Sequence, residues 1–240
     1  MCLSAVSLAK IIHNCGNKEI FVSSCLGIGR CCSSSQNEEN DMKILIDPSH
    51  GVFTPGKRSP DGLFREGIYT REIARRVVAD LIDRGYDAEL LVPEDDDISL
   101  QERVRRANSA CRRFGRKNVI LVSIHVNAAG NGSKWMNATG WSVYTSVGQT
   151  SADRLATCLC EAAIKNFPGR RIRTDNSDGD PDFEKGFYLL RKTHCPAVLT
   201  ESFFMDCQDD VRFLESRAGK QAVVNTHVEG ITEFLEILHH

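Results

Sequence analysis

From Met42 onward, short apolar runs alternate with longer segments in which apolar residues recur every three or four positions. The short runs are rich in β-branched residues, and continuous apolar runs of this length are typical of strands that are buried on both faces. The strongest of them, NVILVSIHV, lies in the middle of the chain. The predicted strands span 43–47, 87–92, 118–126, 141–145, 186–190 and 196–200.

The longer segments predict helices with one buried face, because their apolar residues are three or four positions apart. Gly85 and Gly115 follow the first two segments, and glycine commonly terminates a helix. Strands that alternate with such helices predict an α/β fold, in which a mostly parallel, twisted sheet of about six strands carries helices on both faces of a single domain. The predicted helices span 68–82, 100–111, 151–166, 211–214 and 223–238.

Length and composition fit one such domain. Of the 240 residues, 41% are hydrophobic and 26% are charged, which is ordinary for a globular domain. Residues 1–41 differ from the rest, because their short apolar patches are interrupted by charged residues and end in a polar, linker-like run at 33–41. We expect the working domain to span 42–238 and residues 1–41 to be a poorly structured or non-native extension.

The N-terminal segment matches neither a secretory signal nor a membrane anchor. It lacks a positive start and a long apolar core. No apolar run in the chain reaches the roughly 20 residues that cross a bilayer. We therefore expect a protein that is made in the cytoplasm without a clear signal peptide and does not insert into membranes. Whether His239 and His240 are native or remain from a tag stays open.

The charge pattern gives no sign of a nucleic-acid-binding surface. The formal net charge is −2, so there is no basic excess that would neutralise phosphates. A basic run at 170–173 is followed directly by Asp175, Asp178, Asp180 and Asp182. We interpret this stretch as a solvated loop of mixed charge.

The ten cysteines contain no pair with zinc-finger spacing. Five of them lie in the first 41 residues and five are scattered through the predicted domain. We interpret the later five as mostly buried or partly buried free thiols, which favours synthesis in a reducing compartment. These are Cys111, Cys158, Cys160, Cys195 and Cys207.

Polar residues follow three of the predicted strands. His50 comes shortly after the first strand, His125 ends the central strand, and Glu201 follows the last strand. Because ligands bind beyond the carboxyl ends of parallel strands, we expect these residues to converge. Two imidazoles and one carboxylate are a typical catalytic zinc set. Glu66, at the start of the first helix, is the best candidate for the carboxylate ligand, and Glu72 is its rival.

Several motifs together resemble the N-acetylmuramoyl-L-alanine amidase family of cell-wall hydrolases. They are ILIDPSHG, LVSIHVNA and PAVLTESFF, in that order. The stretch ERVRRAN at 102–108 resembles the helix that precedes the central strand in that family, and the resemblance covers about 43–236. Two residues depart from the family pattern: Ser49 replaces a glycine and Val126 replaces a small residue. Both can alter the local turn or the width of the pocket.

The resemblance implies one Zn²⁺ ion held by His50, Glu66 and His125, with Glu201 as the catalytic carboxylate. It implies that the substrate is bacterial peptidoglycan, cut at the amide bond between N-acetylmuramic acid and L-alanine. Glu201 would take a proton from a water molecule beside the metal and pass it to the leaving amine. Asp47 either orients His50 or caps the turn that follows the first strand.

Five further residues are candidates for contact with the glycan or the peptide. Asn127 either binds substrate or closes its own loop, and Trp135 lies in a long polar loop beside the expected site. Phe183 lies in a second such loop. Trp141 and Phe187 begin predicted strands, so the alternative for both is a place in the core.

Two other functions compete with the amidase. One is a zinc peptidase that acts on the stem peptide, and the other is an inactive module that only binds the cell wall. The presence of Glu201 and of all three ligand candidates argues against the inactive module. A bare catalytic domain resembles phage or prophage endolysins, which are released on lysis, and bacterial wall remodelling is the alternative. We expect a monomer that acts at the cell wall.

Overall fold

The computed structural model describes residues 42–238, and residues 1–41 and 239–240 lie outside the described part of the chain. The expectations for the N-terminal extension and for the last two histidines therefore stay predictions. Within 42–238, a six-stranded sheet carries helices on both faces. This confirms the predicted single α/β domain.

The sheet has the strand order β2-β1-β3-β6-β4-β5. The strands β2, β1, β3 and β6 are parallel neighbours, whereas β4 is antiparallel to β6 and pairs in parallel with β5. The parallel part of the sheet therefore brings the carboxyl ends of β1, β3 and β6 to one edge. The bounds are β1 Lys43–Pro48, β2 Asp87–Leu90, β3 Val119–Asn127, β4 Ser142–Thr145, β5 Phe183–Glu184 and β6 Ala197–Phe204.

Local sequence signals set the ends of the helices. The Ser99 hydroxyl accepts a hydrogen bond of 3.2 Å from the backbone N–H of Glu102 at the start of α2, and Gly115, with a φ of 91°, ends that helix. Thr150 and Asp153 form a capping box at the start of α3. No helix in the described part of the chain is both long and apolar enough to cross a membrane. The helices are α1 Glu66–Asp83, α2 Leu100–Phe114, α3 Ser151–Asn166, α4 Tyr188–Lys192, α5 Gln208–Glu215 and α6 Arg217–Leu238.

Alternate residues of the central strands face two separate apolar layers. Ile44, Ile46 and Ile120 pack in the layer that contains α1, α3 and α6. Leu45 and Leu121 pack in the layer that contains α2 and α4. This is why the central strands are apolar at nearly every position, as the sequence predicts. Packing on both faces also fixes the backbone that carries the polar residues at the strand ends.

The predicted strand at 186–190 is wrong. This stretch leads into the short helix Tyr188–Lys192, which ends where the backbone N–H of Thr193 donates a hydrogen bond of 3.1 Å to the carbonyl of Leu189. A short apolar run does not distinguish one buried helical turn from a strand. The two-residue strand Phe183–Glu184 lies just before it, in a stretch that the sequence predicts to be a loop.

The prediction for the cysteines of the domain is confirmed. All five are free thiols and all five are buried. Cys158 and Cys160 pack within the layer around α3 and α6, and Cys111 and Cys195 pack in the opposite layer. They therefore act as small apolar core residues.

Candidate active site

Three residues from different strands meet at one edge of the sheet. His125 on β3 lies opposite Glu201 in the register of β3 and β6. His50 follows the end of β1, which pairs with β3 on its other side. The structure thus brings together the residues that the sequence places at strand ends.

Glu66 reaches the same point from the start of α1. Its Oε1 lies 3.2 Å from Nδ1 of His125, and its Oε2 lies 4.0 Å from Nε2 of His50. One donor atom from each of the three residues lies within 4.8 Å of the others. The two imidazole rings are nearly perpendicular, with an angle of 89° and 5.4 Å between their centroids. Two imidazoles and a carboxylate at these distances can hold a metal ion.

Close packing of α1 against the turn after β1 positions Glu66 beside His50. A Cβ atom on Gly67 would lie 2.2 Å from the carbonyl oxygen of Gly51, so the helix can approach this closely only with glycine at that position. One turn further along, Nη1 of the buried Arg71 donates a hydrogen bond to the carbonyl of His50. Sequence reasoning missed both residues, although a glycine directly after Glu66 was a usable signal.

Glu66 is a buried carboxylate with one unpartnered oxygen. Its Oε1 accepts a hydrogen bond of 3.2 Å from the backbone N–H of Val126, whereas Oε2 is buried without a hydrogen-bond partner. Burial alone would raise the pKa of Glu66, but the hydrogen bond and charge interactions with His125 and the interaction with His50 outweigh it, so the pKa is lowered. A buried, ionised oxygen without a partner is costly unless a cation compensates for it.

The two histidines of the cluster differ in their charge and in their hydrogen-bond partners. Burial lowers the pKa of His50 to about 4, so its ring is neutral at pH 7. Nε2 of His125 lies 3.1 Å from Oγ of Ser123, and that hydroxyl donates a hydrogen bond of 2.7 Å to Oδ2 of Asp47. Nε2 of His125 therefore donates to Ser123, and Nδ1 is directed toward Glu66. Burial would lower the pKa of His125, but the hydrogen bond with Glu66 and the charge of that carboxylate outweigh it, so the pKa is raised. Ordered second partners of this kind are typical of metal-binding histidines.

Asp47 therefore acts on His125, and the expectation that it orients His50 or caps the turn is wrong. Its Oδ2 is taken by Ser123, and its Oδ1 accepts a hydrogen bond of 2.5 Å from Nη1 of Arg103. The same Nη1 donates a hydrogen bond of 2.6 Å to the carbonyl of Pro48. Sequence reasoning missed Arg103, although it lies in the ERVRRAN stretch that carried part of the family resemblance.

Glu201 supplies a second buried carboxyl group beside the cluster. Its Oε2 is buried without a hydrogen-bond partner. Burial raises the pKa of Glu201 to about 7; the charge of Glu66 adds to the shift and that of His125 opposes it. A carboxyl group with this pKa can both accept and donate a proton near neutral pH.

A cavity of about 460 Å³ opens over these residues. Its walls combine apolar and aromatic side chains with charged residues of both signs, among them Lys57 and Asp97. Phe187 and Tyr188, at the start of α4, form part of one wall, and Phe187 is 39% exposed. The cavity leaves the histidines and Glu201 accessible to a large substrate.

Two further residues from the sequence analysis have partners outside the cluster. Glu72, the rival ligand, pairs instead with Arg76 at 2.5 Å and Lys220 at 2.6 Å, so it does not join the cluster. Ser49 is buried, and its hydroxyl lies 2.9 Å from that of Thr70 on α1, which gives this departure from the family pattern a local partner. 

Among the five candidates for substrate contact, only Phe187 lines the cavity. Trp141 is fully buried and belongs to the core, which was its alternative. Trp135 is half-buried against the core, and Phe183 stacks on Tyr144 with 5.4 Å between ring centroids. The side chain of Asn127 accepts a hydrogen bond of 2.8 Å from the next backbone N–H, which closes its loop. Substrate binding by Asn127 and Trp135 stays a prediction.

An α/β sheet with a His/Glu/His cluster and a separate buried carboxyl group at its strand ends has the features of a metallohydrolase. The chain belongs to the N-acetylmuramoyl-L-alanine amidase family, since the model of that family matches residues 44–233. This confirms the resemblance found in the sequence and makes the protein a member of a family of hydrolytic enzymes.

Relatives of this chain come from both phages and bacteria. It is 29% identical over 199 residues to an endolysin of Bacillus phage SPP1, a match that covers 81% of this chain and 66% of the relative. It is 29% identical over 197 residues to a sporulation-specific N-acetylmuramoyl-L-alanine amidase of Bacillus subtilis, with 80% and 68% covered. The chain thus spans about two thirds of the length of these relatives.

A solved structure shares the fold. The N-acetylmuramoyl-L-alanine amidase AmiC2 of Nostoc punctiforme superposes with a TM-score of 0.65 at 27% sequence identity. The match covers 82% of this chain and 98% of that structure. The fold described here is therefore shared with a solved N-acetylmuramoyl-L-alanine amidase.

Proposed function

We propose that this protein is a zinc-dependent amidase that hydrolyses the bond between N-acetylmuramic acid and L-alanine in peptidoglycan. In this proposal His50, Glu66 and His125 hold one Zn²⁺ ion and Glu201 is the catalytic residue. The observation that carries it is the His/Glu/His cluster, in which the buried Oε2 of Glu66 has no protein partner, beside the second carboxyl group of Glu201.

The donors of the cluster fit zinc. Two imidazole nitrogens and one carboxylate oxygen are a common catalytic set for this ion, whereas Ca²⁺ and Mg²⁺ prefer oxygen donors alone. Burial lowers the pKa of His50 to about 4, so its ring is neutral at pH 7, and Ser123 directs Nδ1 of His125 toward the cluster. A metal ion in the cluster would take the place of the proton on Nδ1 of His125. When bound, the ion would act as a Lewis acid toward the substrate carbonyl and lower the pKa of a water molecule.

Glu201 is placed to move the proton that hydrolysis requires. As a carboxylate it accepts a proton from the attacking water, and as a carboxylic acid it donates that proton to the amine of L-alanine. A group of ordinary acidity would hold the proton too weakly for the second step. Burial raises the pKa of Glu201 to about 7, which suits both steps.

The cavity suits a substrate that is part sugar and part peptide. The aromatic residues Phe187 and Tyr188 offer apolar surface, and Lys57 and Asp97 offer charges of both signs to the stem peptide. The relatives named as amidases and as an endolysin support peptidoglycan as the substrate and the cell wall as the place of action. Phage lysis and bacterial wall remodelling are both represented among them, and we favour the endolysin role.

The test is digestion of purified peptidoglycan by the wild type and by Glu201→Gln, with mass spectrometry of the released fragments. The wild type should release peptides that begin with L-alanine and create no new sugar reducing ends. Glu201→Gln should lower the rate about 10²- to 10⁴-fold, which is the usual contribution of general acid–base catalysis. Asp178→Asn, in an exposed loop, serves as the control and should retain full activity.

The products separate the proposal from its alternatives. Fragments cut within the stem peptide would identify a zinc peptidase and overturn the assignment of the bond. Wall binding without release of any fragment would identify a binding module. Equal rates for Glu201→Gln and the wild type would refute the role of Glu201.

A further inference from the structure

The wall of the active-site cavity contains a cation that the proposed mechanism does not use. Lys57 lines the cavity together with His50, His125 and Glu201. Its side chain is half-buried, and its Nζ makes no ion pair or hydrogen bond with any residue that the structure describes. A charged group that loses part of its hydration without gaining a partner is unfavourable, so the position of Lys57 favours a partner that comes from the substrate.

The other charged side chains of the cavity wall, apart from Glu201, have partners within the described chain. Oδ1 of Asp47 accepts a hydrogen bond of 2.5 Å from Nη1 of Arg103. Oδ2 of Asp97 accepts a hydrogen bond of 2.8 Å from the Thr54 hydroxyl. These residues therefore hold the wall together, whereas the charge of the lysine is available to a bound ligand.

The backbone fixes Lys57 beside the His/Glu/His cluster. Its carbonyl accepts a hydrogen bond of 3.1 Å from the backbone N–H of Glu66, the residue that begins α1. The next residue, Arg58, pairs with Arg65 in an antiparallel bridge. These two contacts close the loop between Lys57 and Glu66, so the lysine is held at the same edge of the sheet as the cluster.

The charge of Lys57 acts on groups at the reacting end of the cavity. Burial raises the pKa of Glu201 to about 7, and the charge of Lys57 is among the interactions that oppose this rise. Burial is also the largest cause of the lowered pKa of His50, and the charge of Lys57 adds to that shift. Coulomb interactions weaken with distance, so both effects agree with the place of Lys57 in the cavity wall.

We propose that Lys57 binds the carboxylate of the residue that follows L-alanine in the stem peptide. That residue can carry either a free carboxylate or a neutral carboxamide, so Lys57 would make the enzyme prefer stem peptides with the free carboxylate. This inference rests on the proposed amidase function and names the part of the substrate that the cavity selects.

The length of the peptide singles out this carboxylate. Successive Cα atoms of a peptide lie roughly 3.8 Å apart, so a carboxyl group on the residue after L-alanine lies within about 8 Å of the cut bond. One cavity of about 460 Å³ can hold both that carboxyl group and the cut bond. Each later residue of the stem lies roughly 4 Å farther out.

The character of the side chain also favours a carboxylate over the reacting carbonyl. A lysine ammonium group is a strongly hydrated point charge on a flexible stem. Such a group suits an ionic contact with bound substrate, whereas stabilisation of the reacting carbonyl requires donors that are fixed in a site without water. The half-buried Lys57 fits the first of these roles.

The test compares two synthetic muropeptides that differ only in this group, one with the carboxylate and one with the carboxamide. For the purified full-length wild type, kcat/KM for release of the peptide should be about tenfold higher with the carboxylate. The difference should lie mostly in KM, because the contact is already made in the bound substrate. The preference should shrink at high ionic strength, since salt screens a partly exposed charge.

Lys57→Met should reduce the preference to within about twofold, mainly through a higher KM for the carboxylate substrate. Lys57→Arg keeps the charge and should retain part of the preference. Arg58→Met is the matched control, because it removes a like charge from the next residue, which is exposed and does not line the cavity. It should keep the full preference. If Lys57→Met fails to fold, Lys57→Gln and the salt dependence of the wild type give the answer.

The outcomes separate this inference from the amidase function. Equal kcat/KM values of the wild type for the two substrates would overturn the role of Lys57 and leave the amidase assignment intact. The role would also be overturned if Lys57→Met slowed both substrates equally, or if Arg58→Met lost the preference as well. Release of no peptide from either substrate by the wild type would overturn the amidase function, and the role of Lys57 with it.

Discussion

Glu66 and Asp182 are both buried carboxyl groups with one unpartnered oxygen, yet their surroundings give them opposite acidities. Glu66 faces two imidazoles, and its pKa is lowered despite burial. Asp182 faces Asp180, and burial together with that neighbour raises its pKa to about 7. Burial is common to both, so the chemistry of the neighbours decides the direction of the shift.

The same contrast separates the two regions by the chemistry that they support. The cluster around Glu66 offers nitrogen and oxygen donors at the ends of rigid central strands, which suits zinc and catalysis. Asp182 lies in a loop beside a second carboxyl group, and its raised pKa favours the protonated form up to about pH 7. Substitutions that remove one carboxylate at a time therefore test whether the two regions differ as described.

The largest effect should come from Glu66→Gln. The amide keeps the shape of the side chain but removes the negative charge, so bound zinc after dialysis should fall from about one ion per chain to a trace, with affinity reduced more than about 100-fold. Metal analysis of the dialysed protein measures this, and amidase activity should fall in parallel. The control is Glu72→Gln, on the same helix but paired with Arg76 and Lys220. Full zinc content in Glu66→Gln would refute its assignment as a ligand.

A smaller effect should come from Asp47→Asn, because Asp47 is linked to the proposed zinc site through Ser123 and His125. Weakening that chain of hydrogen bonds should reduce zinc affinity about 10- to 100-fold, the usual cost of losing a partner of a metal-binding histidine. Competition with a zinc chelator measures the affinity in the folded protein. Asp182→Asn is the comparison and should leave zinc affinity unchanged. If both variants bind zinc equally well, Asp47 has only a structural role.

The sequence predicts the first of these regions far better than the second. The strands that carry His50, His125 and Glu201 are buried on both faces, so their apolar runs are unmistakable and their polar ends stand out. Glu66 is harder to assign, because it comes from a helix and its selection over Glu72 depended on the family resemblance. The contacts of Asp47 with Ser123 and Arg103 join three separate elements, and no local pattern encodes them.

The loop before α4 shows where pattern reading fails. A run of aspartates is usually solvated, and the burial of Asp182 depends on its contact with Thr145 on a distant strand. The adjacent β5 and α4 have two and five residues, so they are too short to show a reliable periodicity of apolar residues. The missed elements and the missed carboxyl pair therefore share one cause, since tertiary packing rather than local periodicity shapes this segment.

The smallest effect should be the pH dependence of stability at Asp182. Its pKa is about 7 in the folded protein against an ordinary value of 3.8, so the folded state binds the proton more tightly than the unfolded chain. The stability that this proton contributes is complete below about pH 3.8 and is lost as the pH rises through about 7. Asp180 and Asp153 both face Asp182 and strengthen the effect by repulsion.

The Tm of Asp182→Asn relative to the wild type should therefore rise by about 2–4 °C between pH 5 and pH 8, which corresponds to about 1 kcal/mol for a domain of this size. Melting curves across this range measure the difference, and Asp178→Asn should run parallel to the wild type. Parallel curves for Asp182→Asn and the wild type would show that the pKa of Asp182 is not raised in the folded protein. The contrast with Glu66 would then disappear.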